Sequence, residues 1–233
     1  MKPKTWVQSA NLAIEGIIYS VKTQRHMQYH LFAALAALIS SLVLNITRTE
    51  FILLCMAIVL VLVTELLNTA IETTVDMISE DYHPRAKIAK DIGAGVVLVA
   101  SIGALTLAYL ILYPALKTSL SHGIWQVKRV PNDVIAFVSL AVVVIIVVII
   151  KAFLGKGAPL HGGMPSGHAA FSFSIWMTTV YLANSLLIAL LTFVLAVMIS
   201  WSRWSSGIHK PGEVLAGAGI GAGVTFLFFR IFG

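Results

Sequence analysis

Apolar and polar positions follow two regimes along this chain. From Trp6 to Val21, apolar residues (Trp6, Val7, Ala10, Ile14, Ile17, Ile18, Val21) recur every three or four positions, and Lys4, Gln8, Asn11, Glu15 and Lys22 fill the other face. That spacing predicts an amphipathic helix lying on a membrane surface. Continuous apolar runs follow, at roughly 29–47, 50–75, 89–114, 133–154, 166–184, 186–203 and 212–232. About 20 residues cross the hydrocarbon core of a bilayer, so seven spans are expected. The segment 113–133 contains Pro114, Lys117, His122, Lys128, Arg129 and Pro131 and is too polar to span. The expected fold is therefore an all-α integral membrane protein. A surface helix and three spans (1–115) and a four-span bundle (132–233) are joined by a linker (116–131).

Composition agrees with this reading. Of 233 residues 58% are hydrophobic, and the mean hydropathy is +0.92, which excludes a soluble domain. The net charge of +6 belongs to membrane loops rather than to a nucleic-acid partner. With the N-terminus in the cytoplasm, seven spans leave Lys2, Lys4, Lys22, Arg25, Arg85, Lys87, Lys90, Lys151, Lys156, Arg203 and Lys210 inside. Only Arg48, Lys117, Lys128, Arg129 and Arg230 fall outside, so that orientation in a bacterial inner (plasma) membrane is expected. The single cysteine, Cys55, sits in an apolar run, where a buried thiol is the simple reading.

The strongest chemical signal is the run from Glu65 to Asp76. Glu65, Asn68, Glu72 and Asp76 are separated by three or four residues and share one helix face. A carboxylate within a span costs about 3 kcal/mol or more, and no basic residue lies between Phe51 and Asp76 to pair with these. The following loop supplies His83, Arg85 and Lys87, then Lys90 and Asp91. Acids beside bases at a membrane interface suit phosphoryl transfer from a nucleotide: a carboxylate can take a hydroxyl proton while others hold magnesium. No Walker or protein-kinase glycine loop is present.

Residues 1–115 resemble the prokaryotic diacylglycerol kinase family, which includes undecaprenol kinases, through Glu65-x-x-Asn68-x-Ala70-Ile71-Glu72-x-x-Val75-Asp76 and Ala89-Lys90-Asp91. The resemblance implies ATP and Mg2+ as cofactors, Glu65 as general base and Glu72 as a metal ligand. It implies that Asn68, Asp76, Lys90 and Asp91 bind ATP and lipid, and that the chain forms a homotrimer. The family's second metal-ligating Glu is replaced by Gln24, whose amide oxygen can ligate but brings no charge, so weaker metal binding or an impaired kinase is expected.

A second constellation lies in the C-terminal half. Lys151 ends one span, the loop reaches Pro165-Ser166-Gly167-His168 before the next, and Ser202-Arg203, His209 and Glu213 follow later. Cations and backbone N–H groups at a helix start make an anion site. One His can attack phosphorus while another protonates the leaving oxygen. This half resembles the type-2 phosphatidic acid phosphatase superfamily. That implies a His209 nucleophile oriented by Glu213, a His168 general acid, and a phosphate held by Lys151, Ser166, Gly167 and Arg203, with no metal. Ala158 stands where the family has Arg, and losing that cation weakens transition-state stabilisation by about 2–4 kcal/mol. Lys156 and His161 are the nearby substitutes.

Together these patterns predict a bifunctional enzyme of membrane lipids with both sites on the cytoplasmic side. One half phosphorylates a lipid alcohol, undecaprenol or diacylglycerol. The other hydrolyses a lipid phosphate or pyrophosphate, with undecaprenyl pyrophosphate as one candidate. The alternatives are one active half beside a scaffold, or a transporter, which also carries intramembrane carboxylates.

Overall fold

The structure is a computed structural model that describes residues 6–44, 46–79, 81–122, 130–154 and 163–233. Among them the only regular elements are eight helices: α1 (Trp6–Thr23), α2 (Arg25–Val43), α3 (Arg48–Ile78), α4 (Pro84–His122), α5 (Asn132–Leu154), α6 (Gly167–Leu182), α7 (Leu186–Ser205) and α8 (Pro211–Phe232). The all-α membrane fold is as expected.

Among the described residues six helices are long and apolar enough to span: α2, α3, residues 84–120 of α4, α5, α7 and α8. The expected seventh is α6. It has 16 residues and rises roughly 24 Å, short of the ~30 Å hydrocarbon core. Ser166 caps its start by accepting a hydrogen bond from the Ala169 N–H, and Asn184 turns the chain at φ 46° just past its end. A second difference is at Pro114, where a break was expected and α4 continues to His122. Proline fixes a helical φ and costs one backbone bond, the one to the Leu110 carbonyl, which a long helix can bear. Residues 123–129 of the expected linker lie outside the described residues.

The chain divides into two compact units, Thr23–Lys128 and Met1–Lys22 with Arg129–Gly233. In the first, α3 packs chiefly along α4 and also against α2. A capping box starts α3: Glu50 N–H donates to Thr47 Oγ1, and the Thr47 N–H donates to the Glu50 carboxylate at 2.7 Å. The inward stripe of α3 runs Phe51, Leu54, Ala57, Val61, then Thr64, Glu65 and Asn68. Its outward face shows Ile52, Met56, Val59, Leu60, Val63 and Leu67, as a lipid-facing helix requires. The polar face is thus the core stripe continued towards the end of α3.

In the second unit α6 is central, packing against α8, α7 and α5. Gly217 and Gly221 of α8 let the helices approach so closely that a Cβ at either would collide with the Ser166 or Ala170 carbonyl of α6. One turn further, Ser174 Oγ and Thr225 Oγ1 share a buried hydrogen bond of 2.7 Å. At the far end Tyr181 stacks on Phe229 with centroids 4.7 Å apart. Small residues spaced by four that let backbones close up are a familiar solution for helix pairs in lipid.

Candidate active sites

The first site descends one face of α3. Glu65 is 2% exposed and Asn68 9%, Glu72 is half-buried and Asp76 is exposed. Over roughly 16 Å of helix rise the face passes from the packed interior of the protein to its exposed surface. Glu72 sits at the middle, and both its oxygens are engaged: Asn68 Nδ2 donates to Oε1 at 3.1 Å, and Gln24 Nε2 donates to Oε2 at 3.3 Å. Gln24 is the extended residue joining α1 to α2, which carries it across to α3. His26, in the first turn of α2, lies within electrostatic range of Glu65, as does Glu72.

The open end is bounded by α4. Lys90 pairs with Asp76, and Lys87 pairs with Asp91 at 2.5 Å. These four residues, with Ser79, Asp81 and His83, line a cleft of about 430 Å³. α4 reaches α3 closely because Gly93 leaves room for Asn68; a Cβ there would strike Asn68 Oδ1. Each residue expected at this site, from Gln24 and Glu65 to Lys90 and Asp91, therefore falls on one continuous polar track.

Does the track suit a divalent cation? Magnesium takes oxygen ligands and is commonly held by one or two carboxylates together with substrate phosphates. Among the described residues no group of three or more His, Cys, Asp or Glu gathers for a metal. What the track offers is the Glu72 carboxylate, the amide of Gln24 and the buried, unpartnered Oδ1 of Asn68. That donor set fits an ion held mainly by a nucleotide's phosphates, not a protein cage.

The second site is built from four helix ends. Lys151 lies in the last turn of α5 and Arg203 in that of α7, while His168 lies in the first turn of α6 and Glu213 in that of α8. His168 is exposed and within electrostatic range of Arg203, His209 and Lys151; Lys151 is likewise close to Glu213. His209 is 5% exposed. Its Nδ1 lies 2.8 Å from Glu213 Oε2, which also accepts from the Lys210 N–H at 3.2 Å. A carboxylate only accepts, so Nδ1 carries a hydrogen, which in a neutral ring puts the lone pair on Nε2.

The two sequence patterns are tied together through the backbone. The Ser166 N–H donates to the Glu213 carbonyl at 2.9 Å, and the His209 N–H to the Arg203 carbonyl at 3.1 Å. Ser166 is fully buried and Gly167 is the first residue of α6. Ala158, Pro159, Lys156 and His161 lie outside the described residues. Two features escaped the reading of the sequence. Gly217 and Gly221 set the spacing of the two patterns, a role signalled by their interval of four. Ser200 Oγ and Arg203 Nε are both buried without a hydrogen-bond partner among the described residues; the sequence signal is a Ser one turn before Arg203.

Comparison with known proteins divides the chain at the same place as its motifs. Residues 11–112 match the prokaryotic diacylglycerol kinase model, and residues 132–233 match the PAP2 superfamily. A diacylglycerol kinase of Synechocystis is 34% identical over 123 residues, covering 50% of this chain and 70% of that protein. The undecaprenol kinase of Bacillus subtilis is 40% identical over 101 residues, 43% of this chain and 82% of that protein. The diacylglycerol kinase of Escherichia coli is 36% identical over 97 residues, 42% and 67% respectively. No solved structure matches.

Proposed function

We propose a division of chemistry between the two sites of this chain, which belongs to the prokaryotic diacylglycerol kinase family and continues into a PAP2 superfamily domain. It is a membrane lipid kinase joined to a lipid phosphatase. The kinase domain is residues 1–115 and the phosphatase domain 132–233, close to the two matched ranges.

In the kinase half, Glu65 takes the proton of a lipid hydroxyl at the buried end of the track. The resulting oxygen attacks the γ-phosphorus of ATP, the bond to the β-phosphate oxygen breaks, and ADP leaves. Asn68, Asp76, Lys90 and Asp91 bind and orient the nucleotide and lipid head. Mg2+, held by Glu72 and the Gln24 amide, would neutralise charge on the phosphates. The graded burial from Glu65 to Asp76 supports this reading, because one helix face then runs from a secluded carboxylate, suited to deprotonating a hydroxyl, to exposed groups open to a nucleotide.

In the phosphatase half, His209 Nε2 attacks the terminal phosphorus and its bond to the leaving oxygen breaks, the bridging oxygen of a pyrophosphate or the lipid oxygen of a monophosphate, as His168 protonates that oxygen. Water then attacks the phosphohistidine, gives its proton to His168 and frees phosphate. Lys151 and Arg203 hold the phosphoryl oxygens, with Gly167 and Ser166 shaping the start of α6. The 2.8 Å bond between His209 and Glu213 supports this, because it frees Nε2 for attack.

Undecaprenol is the favoured alcohol, and undecaprenyl pyrophosphate the favoured phosphatase substrate, since both reactions then yield undecaprenyl phosphate. The similarity to the undecaprenol kinase supports the first choice; diacylglycerol and phosphatidic acid are the competing pair. Both sites face the cytoplasm of a bacterial plasma membrane, on the distribution of Lys and Arg over seven crossings of which the short α6 is one. A homotrimer has room in a groove of about 410 Å³ lined by Ala33, Ala37, Ala57 and Ala104, where small residues admit another helix.

The test offers purified protein each lipid separately. Undecaprenol with ATP and undecaprenyl pyrophosphate alone are both expected to give undecaprenyl phosphate by mass spectrometry. Turnover of diacylglycerol and phosphatidic acid alone would overturn the lipid assignment. A second reading, one active half beside a scaffold, rests on the engagement of Glu72 by Gln24; it predicts one of the two products to be missing.

A further inference from the structure

Ser200 and Arg203 lie one turn apart on α7, so their side chains share a face. That face is the inward one: the buried residues of α7 are Ala196 and Ser200, and the stripe they begin runs on to Arg203, whose Nε is also buried. Ser200 is 6% exposed. Hydroxyls on the other helices of this protein commonly donate to a carbonyl of their own helix one turn back, as Ser41, Thr64, Thr69, Ser139 and Ser172 do. Among the described residues Ser200 finds no such partner, nor any other, and neither does the Nε of Arg203.

Two buried donors without acceptors are costly to a fold in an apolar setting. They sit where Arg203 comes within electrostatic range of His168 and where its carbonyl holds the His209 N–H. A hydroxyl and a guanidinium N–H on one helix face are matched to oxygens of a single tetrahedral oxyanion. Ser200 lies one turn back from Arg203, roughly 4.5 Å along α7 towards the body of the helix.

We propose that Ser200 is a further phosphoryl-binding residue of the second site, its hydroxyl donating to a phosphoryl oxygen that Arg203 Nε also binds. The assignment rests on the phosphatase reading above and adds a donor that the sequence patterns did not contain. It supplies a hydrogen bond to the phosphate in a site whose expected Arg position is occupied by Ala158.

The experiment measures wild-type protein and the Ser200→Ala, Ser200→Thr and Ser200→Cys variants in detergent. Phosphate release from a lipid phosphate gives kcat/KM, and calorimetry gives the Kd of orthovanadate, an analogue of the transferring phosphoryl group. Loss of one hydrogen bond to a charged group predicts a fall in kcat/KM and a rise in vanadate Kd of roughly tenfold to a hundredfold in Ser200→Ala. Ser200→Thr, which keeps the hydroxyl, is expected to recover most of both. Ser200→Ala within twofold of wild type in both readouts overturns the assignment and leaves the hydroxyl to the fold. If Ser200→Ala does not remain monodisperse, Ser200→Cys decides, being of similar size with a weak donor: a raised vanadate Kd supports the assignment and an unchanged one overturns it. Wild-type protein that hydrolyses no lipid phosphate refutes the phosphatase reading instead, and the vanadate comparison then rules on Ser200 alone.

Discussion

Gln24 donates its side-chain amide to Glu72 across 48 residues of chain, at 3.3 Å. With Asn68 on the other oxygen, the central carboxylate of the kinase track has both its acceptors engaged by neutral donors. In this arrangement Glu72 is satisfied without a cation, which a pair of facing carboxylates would not be.

Gln24→Glu should reverse that balance. Two carboxylates repel unless a cation lies between them, so the variant should need less Mg2+ for half-maximal kinase rate, by on the order of tenfold. A titration of Mg2+ against lipid phosphorylation reads this directly. An unchanged Mg2+ profile and rate would show that position 24 takes no part in metal binding.

Gly217 and Gly219 make a controlled pair on α8. A Cβ at Gly217 meets the Ser166 carbonyl, whereas one at Gly219 meets nothing within 4 Å. Gly217→Ala should therefore destabilise the second unit by about 1–3 kcal/mol and depress phosphatase activity, while Gly219→Ala should change neither by much. Thermal unfolding in detergent alongside phosphate release checks both. Equal effects of the two substitutions would count against the close approach of α6 and α8.

Glu213→Gln keeps the size of the side chain but lets an amide N–H face His209 Nδ1. The ring is then free to take the other tautomer, with the hydrogen on Nε2. Phosphatase activity should fall by roughly 10²–10⁴, with kinase activity unchanged. Glu213→Asp should retain far more, because it keeps the carboxylate. Should Glu213→Gln match wild type, the tautomer argument fails.

Ala158→Arg restores a cation in the phosphate loop and should raise phosphatase kcat/KM by about tenfold or more. A rate equal to or below wild type would mean that this position does not face the phosphate.

How much of this was legible in the sequence depends on the range of the interaction. Runs of apolar residues located α2, α3, α5, α7 and α8 to within a few residues, because membrane helices are set by local hydropathy. The track from Glu65 to Asp76 was legible because helical periodicity alone puts it on one face. Two local readings differed from the structure: α6 is shorter than its apolar run, ended by the turn at Asn184, and α4 continues through Pro114 to His122. Relationships between distant residues were not legible. Neither the engagement of Glu72 by Gln24 nor the link from Ser166 to Glu213 follows from any spacing. The open valences of Ser200 and Arg203 were hidden for another reason: a helical serine ordinarily satisfies itself, and only packing reveals one that does not.

The central claim, two chemically independent sites in one chain, is tested most directly by following γ-labelled phosphate from ATP. Detergent-solubilised protein would be supplied with undecaprenol, as wild type, Glu65→Gln and His209→Ala, with inorganic phosphate released from unlabelled undecaprenyl pyrophosphate measured in parallel. The account predicts that label enters lipid in wild type and His209→Ala but not in Glu65→Gln, and that phosphate release is lost only in His209→Ala. Label incorporation that survives Glu65→Gln, or phosphate release that survives His209→Ala, would contradict it.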